Sequence, residues 1–272
     1  MTRPLALALC GLAALAAPMF APAFAAPADT RSQVNLIGGT RNGDGPWQAG
    51  VEVILAPGWK TYWRYPGDSG VPPNFDFSKS DNVASVALAW PAPHAFADGS
   101  GTSIGYKQRV VFPLTVTPRD PKQPVTLRLE LDYAVCEKLC VPEQAKAELS
   151  LRTPPATLDP RLADARKRVP VQAKIGDTAP LAVQSVSVTP GQKPQVAVTV
   201  AAPADTPVEL FAEGPTSAWA LPVPQPQPAA ATPRRFTFDL DGLPSGATAK
   251  GATLMLTVVA GDKAIEVPAR LD

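Results

Sequence analysis

Apolar and polar residues alternate along most of this chain, which is the signature of half-buried strands. Trp47, Ala49, Val51, Val53 and Leu55 fall on one face of a single strand. After the turn signal Pro57-Gly58, Trp59 to Tyr65 is aromatic and β-favouring, and Pro66-Gly67-Asp68-Ser69-Gly70 reads as a loop. Val83 to Trp90 is a further expected strand, Pro91 to Gly105 an expected long loop, and Tyr106 to Val116 a strand in which Pro113 suggests an edge or a bulge. The clearest hairpin comes next. Val125, Leu127, Leu129 and Leu131 alternate with polar partners, and so do Ala145, Ala147, Leu149 and Leu151.

Pro154-Pro155 marks a boundary, and Asp159-Pro160 has the form of an N-cap followed by Pro at the first helical position. A short helix to about Lys167 is therefore expected. Strand patterns resume at Val186–Val188, Val196–Val200, Val208–Ala212, Phe236–Leu240, Leu254–Val259 and Ile265–Val267, with a Pro-, Ala- and Gln-rich loop over Pro222–Pro233. The 33 prolines are scattered and leave little room for long helices. The expected fold is all-β: two immunoglobulin-like β-sandwich domains, residues 26–153 and 178–272, joined by a helical linker over 154–177.

The N-terminus changes where this fold works. Arg3, the apolar run Leu5–Ala17 and Ala23-Phe24-Ala25 have the order of an export signal, expected to be cleaved after residue 25. A soluble, exported chain is expected, in a compartment where disulfides persist. Formal net charge is +1, and loss of Arg3 with the signal leaves the remainder neutral. Without a basic patch, nucleic acid and anionic membrane surfaces are poor partners. The single His argues against His-based catalysis or a multi-His metal site.

Cys10 leaves with the signal, so Cys136 and Cys140 are the only cysteines expected in the exported chain. They connect the two strands of the hairpin. In an extended strand their Cα atoms would lie about 13 Å apart, whereas a disulfide needs about 4.4–6.8 Å. A bonded pair therefore requires a turn or a short helical segment. Closing so short a loop constrains the unfolded chain little, which makes the pair a poor staple and a candidate working dithiol. Lys138 favours a thiolate there, and Glu137 and Glu143 oppose it. Two other readings stand beside redox exchange. The pair is a structural disulfide in a non-catalytic periplasmic binding or chaperone-like module. Alternatively, the two thiolates bind metal with His94, although Cys-x₃-Cys lacks an evident fourth ligand. Asp68, beside Gly67, tunes a nearby thiol or only makes a turn. The aromatics Trp59, Tyr62, Trp63 and Tyr65 are read as core residues alternating with sheet-face residues rather than as a binding surface.

Gly58-Trp59-Lys60-Thr61-Tyr62-Trp63-Arg64-Tyr65-Pro66-Gly67-Asp68-Ser69-Gly70-Val71-Pro72-Pro73 resembles a segment of the periplasmic N-terminal domain of DsbD-type thiol:disulfide interchange proteins. Gly105-Tyr106-Lys107, Val111-Phe112-Pro113-Leu114 and Tyr133 through Cys140-Val141-Pro142 resemble later blocks in the same order. The resemblance covers about residues 32–152, and the chain as a whole resembles the ScsB-like relatives. It implies an immunoglobulin-like sandwich whose cysteine pair takes electrons from a membrane-embedded electron-transfer protein and reduces periplasmic thioredoxin-like proteins. No cofactor and, on ligand count, no metal are expected. The resemblance further implies that Cys140 forms the mixed disulfide, that Cys136 resolves it, and that an aromatic loop caps the pair. Phe96 is the expected cap. Full-length members continue into membrane and thioredoxin-like domains, and this sequence stops at Asp272.

Overall fold

Ten strands fill residues 32–151: β1 (Ser32–Ile37), β2 (Trp47–Leu55), β3 (Lys60–Gly67), β4 (Asn74–Asp76), β5 (Val83–Leu88), β6 (His94–Asp98), β7 (Gly101–Lys107), β8 (Arg109–Pro118), β9 (Val125–Cys136) and β10 (Cys140–Leu151). The computed structural model describes residues 30–68, 70–98, 101–155, 157–189, 191, 194–228 and 233–272. The expected signal segment, residues 1–25, lies outside these. One sheet has the order β1-β2-β8-β5, and the other β10-β9-β3-β7-β6, with β4 on β9. Alternation explains how they face each other. Trp47, Val51, Val53, Leu114 and Val116 of the first sheet bury against Trp63, Ile104, Leu127, Leu129 and Leu131 of the second. Phe75, Trp90, Tyr106 and Phe112 fill one part of this core with edge-to-face ring contacts at 5.1–5.8 Å between centroids.

Two expectations for this half need correction. The stretch Pro91–Gly105 is not a loop, because β6 and β7 form a hairpin within it, with His94 opposite Gly105 and Phe96 opposite Ser103. Pro113 sits in β8, an interior strand rather than an edge. It is tolerated because its carbonyl, and so its missing N–H, faces the side where β5 has already ended. There the Pro113 carbonyl accepts from the amide of Ala89.

Helix α1 (Pro160–Lys167) begins as the sequence predicts, with the Asp159 carboxylate accepting from the Arg161 amide. The helix covers the outer face of the first sheet. Leu162 is fully buried beside Gly50 and Gly39 and clusters with Ile37, Val111 and Ala165. Arg161 reaches the buried carboxylate of Glu52 at 2.8 Å.

The remaining strands are β11 (Val171–Gln172), β12 (Ala182–Thr189), β13 (Gln195–Ala201), β14 (Val208–Glu213), β15 (Gln225–Pro226), β16 (Arg234–Asp239), β17 (Thr253–Ala260) and β18 (Lys263–Arg270). They form two four-stranded sheets, β11-β18-β17-β14 and β12-β13-β16-β15. Val196, Val198, Val200, Phe236 and Phe238 pack against Leu210, Leu254, Leu256, Val258 and Val267. β11 lies in the stretch expected as linker, yet it pairs in parallel with β18.

The two pairs of sheets share no strand, but they interlock. Arg64 on β3 donates two hydrogen bonds to Glu213, at 2.8 and 2.6 Å, and one to Glu266 at 2.6 Å. Burial opposes the Arg64 charge, but the two carboxylates outweigh it and hold the guanidinium above its ordinary range. The Tyr65 hydroxyl donates to the carbonyl of Leu221, Trp63 meets Phe211 at 5.8 Å, and His94 Nδ1 lies 2.8 Å from Glu209. Residues 31–272 accordingly make one compact unit.

Candidate redox site

The β9–β10 hairpin places the cysteines. Its ladder runs without a break from Val125 opposite Leu151 to Cys136 opposite Cys140, and Glu137, Lys138 and Leu139 make the connection. The two cysteines are therefore direct cross-strand neighbours with Cα atoms 4.2 Å apart, and their sulfurs are bonded. Of the two geometries open to a bonded pair, the chain uses the turn.

The sulfurs differ in exposure. Leu127, Leu129, Leu131, Tyr133 and Val135 point into the main core, so Ala134 and Cys136 point to the opposite face of the sheet. Cys136 is nonetheless only 2% exposed. Cys140 starts the edge strand and is exposed, and Leu139 beside it is 79% exposed.

Tyr62 explains the burial of Cys136. In β3, Lys60 pairs with Cys136 and Thr61 with Val135, so Tyr62 shares the outward face with Cys136 and Ala134. The Thr61 hydroxyl donates to the Ala134 carbonyl and holds the strands together at this point. The Tyr62 hydroxyl lies 2.7 Å from Cys136 Sγ and 3.0 Å from Cys140 Sγ. Its ring is itself covered. Between Tyr62 and Gly67 the β3–β7 register shifts, from Tyr62 opposite Gly105 to Gly67 opposite Ser103. The surplus residues bulge, and Gly70 lies over the Tyr62 ring as a strap. Gly70 has φ +143°, and a Cβ there would lie 2.3 Å from a Tyr62 ring carbon.

The expected site residues divide on inspection. Cys136 and Cys140 come together. Glu137 and Lys138 are exposed in the connection between them, and the Glu137 carboxylate leans over the Pro57-Gly58 turn, where Gly58 has φ +86°. Asp68 is a turn residue whose Oδ2 accepts from the Thr102 amide at 2.8 Å, anchoring the start of the strap. Phe96 is displaced from the role expected of it. It lies on β6, three ladder steps or about 14 Å across the sheet from β9, beneath the ammonium of Lys107 at 4.3 Å. A phenylalanine side chain does not bridge that gap. His94, weighed as a metal ligand, is committed to Glu209. Among the described residues, no group of three or more His, Cys, Asp and Glu is placed to hold a metal ion.

Tyr62 is the site residue that sequence reasoning assigned to packing. The available signal was its place two residues from Lys60 in the strand preceding a Gly-rich loop, which does not distinguish a core tyrosine from one lying over a disulfide.

Comparison with known proteins agrees with this geometry. The family model for the N-terminal region of thiol:disulfide interchange protein DsbD matches residues 30–151. Among solved structures, the N-terminal periplasmic domain of ScsB from Proteus mirabilis is similar, with a TM-score of 0.68 and 22% sequence identity. That match covers 91% of this chain and 96% of the other, so the shared fold runs through both halves. No curated protein matches. No helix among the described residues is long and apolar enough to cross a membrane. Residues 30–151, which carry the sandwich and its Cys136–Cys140 disulfide, are thus the part of the chain that is similar to the N-terminal region of thiol:disulfide interchange protein DsbD.

Proposed function

We propose that this chain relays reducing equivalents in the periplasm, from a membrane-embedded electron-transfer protein to thioredoxin-like proteins, through Cys136 and Cys140. It acts as a component of a protein-disulfide reductase system. The observation that carries this reading is the asymmetry of the disulfide, with Cys140 exposed at a hairpin tip and Cys136 2% exposed beneath Tyr62. An incoming thiolate reaches Cys140 and not Cys136. Cys140 is then the sulfur that forms the mixed disulfide, and Cys136, its cross-strand neighbour, resolves it. Loss of residues 1–25 on export delivers the pair to a compartment that supports this chemistry. Residues 26–153 are the redox sandwich, and 178–272 a second sandwich that braces it through Arg64, Glu213 and Glu266.

Equilibration with glutathione buffers tests the redox assignment. A structural disulfide in an exported protein has a potential below about −300 mV, and a relay sits above that value. A pair that stays oxidised in strongly reducing glutathione contradicts the assignment.

A further inference from the structure

We propose that Tyr62 is a catalytic residue of the exchange, its hydroxyl donating a hydrogen bond to Cys136 Sγ as that sulfur leaves. The inference rests on the redox reading of the pair. In the first step a donor thiolate attacks Cys140 Sγ. The Cys136–Cys140 bond breaks, its electron pair departs on Cys136 as a thiolate, and a new S–S bond joins the donor to Cys140. The donor's second thiol, as thiolate, then attacks the donor sulfur of that bond, and Cys140 leaves as thiolate. Two electrons and two protons pass from the donor dithiol, which ends as a disulfide, to the pair, which ends as a dithiol.

The first step places negative charge on the buried sulfur. Cys136 is 2% exposed, so water does not solvate it, and burial disfavours a charged sulfur. A leaving thiolate that is poorly stabilised leaves slowly. A phenol O–H is a hydrogen-bond donor, and that of Tyr62 stands 2.7 Å from the departing atom. At 3.0 Å it also reaches Cys140 Sγ, so the same proton serves the second step after the first bond has broken. The strap holds the donor in place, because Gly70 packs against the ring with no room for a side chain. A competing role, in which Tyr62 only shields the disulfide, predicts no slowing when the hydroxyl alone is lost. Removing a shield speeds attack, whereas removing a leaving-group donor slows it.

The test is Tyr62→Phe, which keeps the ring under Gly70 and deletes only the hydroxyl, with dithiothreitol as the attacking dithiol. A hydrogen bond to a charged group is strong enough that its loss slows reduction by about tenfold or more. The equilibrium shifts the same way. A tenfold loss of the reduced form lowers the potential by about 30 mV for this two-electron couple, and the pH midpoint for alkylation of the reduced cysteines moves upward. Wild-type rates and potential in Tyr62→Phe, or faster reduction, overturn the proposal. Because the attacking dithiol is a small molecule, this result stands apart from the relay assignment. That assignment fails separately if wild-type protein exchanges with dithiothreitol but with no thioredoxin-like protein.

Discussion

Reducing the disulfide should leave the fold standing, and the structure sets the scale of the loss. The bond joins residues four apart in sequence. In the chain-entropy account, closing a loop of about five residues contributes about 2 kcal/mol at 25 °C. Holding the same hairpin in place are Leu127, Leu129, Leu131 and Val135, each at most 2% exposed in the main core. At about 1.5–3 kcal/mol per buried aliphatic side chain, these four contribute roughly 6–12 kcal/mol as an upper estimate. Burial therefore exceeds the cross-link several-fold. For a folded unit of this size a loss of 2 kcal/mol lowers the melting temperature by about 4–8 °C. Thermal melts followed by circular dichroism, with and without excess dithiothreitol, measure the difference. A single cooperative transition displaced by that amount is expected. Loss of cooperativity, or a fall beyond about 20 °C, would refute the reasoning and make the bond a staple.

Two further outcomes follow from the packing. Leu162→Ala empties the contact between α1 and the first sheet, where the side chain is fully buried against Ile37, Val111 and Gly50. A loss of about 2–5 kcal/mol in urea unfolding is expected, and a loss under 1 kcal/mol would mean that the helix does not hold the sheet. Burial, with the charges of Asp68 and Glu213, pushes the Tyr65 phenol up to about 12 from its ordinary 10.0. The folded chain then keeps a proton that the unfolded chain loses between those values. Its contribution is complete below about pH 10 and disappears as pH rises through about 12. Tyr65→Phe should remove that part of the alkaline destabilisation, and an unchanged pH profile would contradict it.

Local pattern carried much of the fold. The β2 alternation, the β9–β10 hairpin and the Asp159-Pro160 helix start all report on residues within a few positions of one another, where side-chain period and capping act. The cysteine connection was legible for the same reason, since chain geometry limits a bonded pair at this spacing to a turn or a short helical segment. What escaped depends on distant partners. β6 and β7 lack a clean apolar alternation, so the hairpin read as a loop, and Phe96 was expected over the sulfurs rather than three ladder steps away. Tyr62 reaches the sulfurs because β3 runs in register with β9 and a bulge returns the strap over its ring. Arg64 finds Glu213 and Glu266 at separations of 149 and 202 residues, and no local signal anticipates that interlock.

The most direct test of the relay is to trap its intermediate. Cys136→Ser leaves the exposed Cys140 without its resolving neighbour. Mixed with a thioredoxin-like protein in its disulfide form, this variant should give a covalent adduct on a non-reducing gel that dithiothreitol dissolves. Cys140→Ser, whose remaining sulfur lies under Tyr62, should give none. Equal adducts from both variants, or from neither, would contradict the assignment of Cys140 as the sulfur that meets the partner.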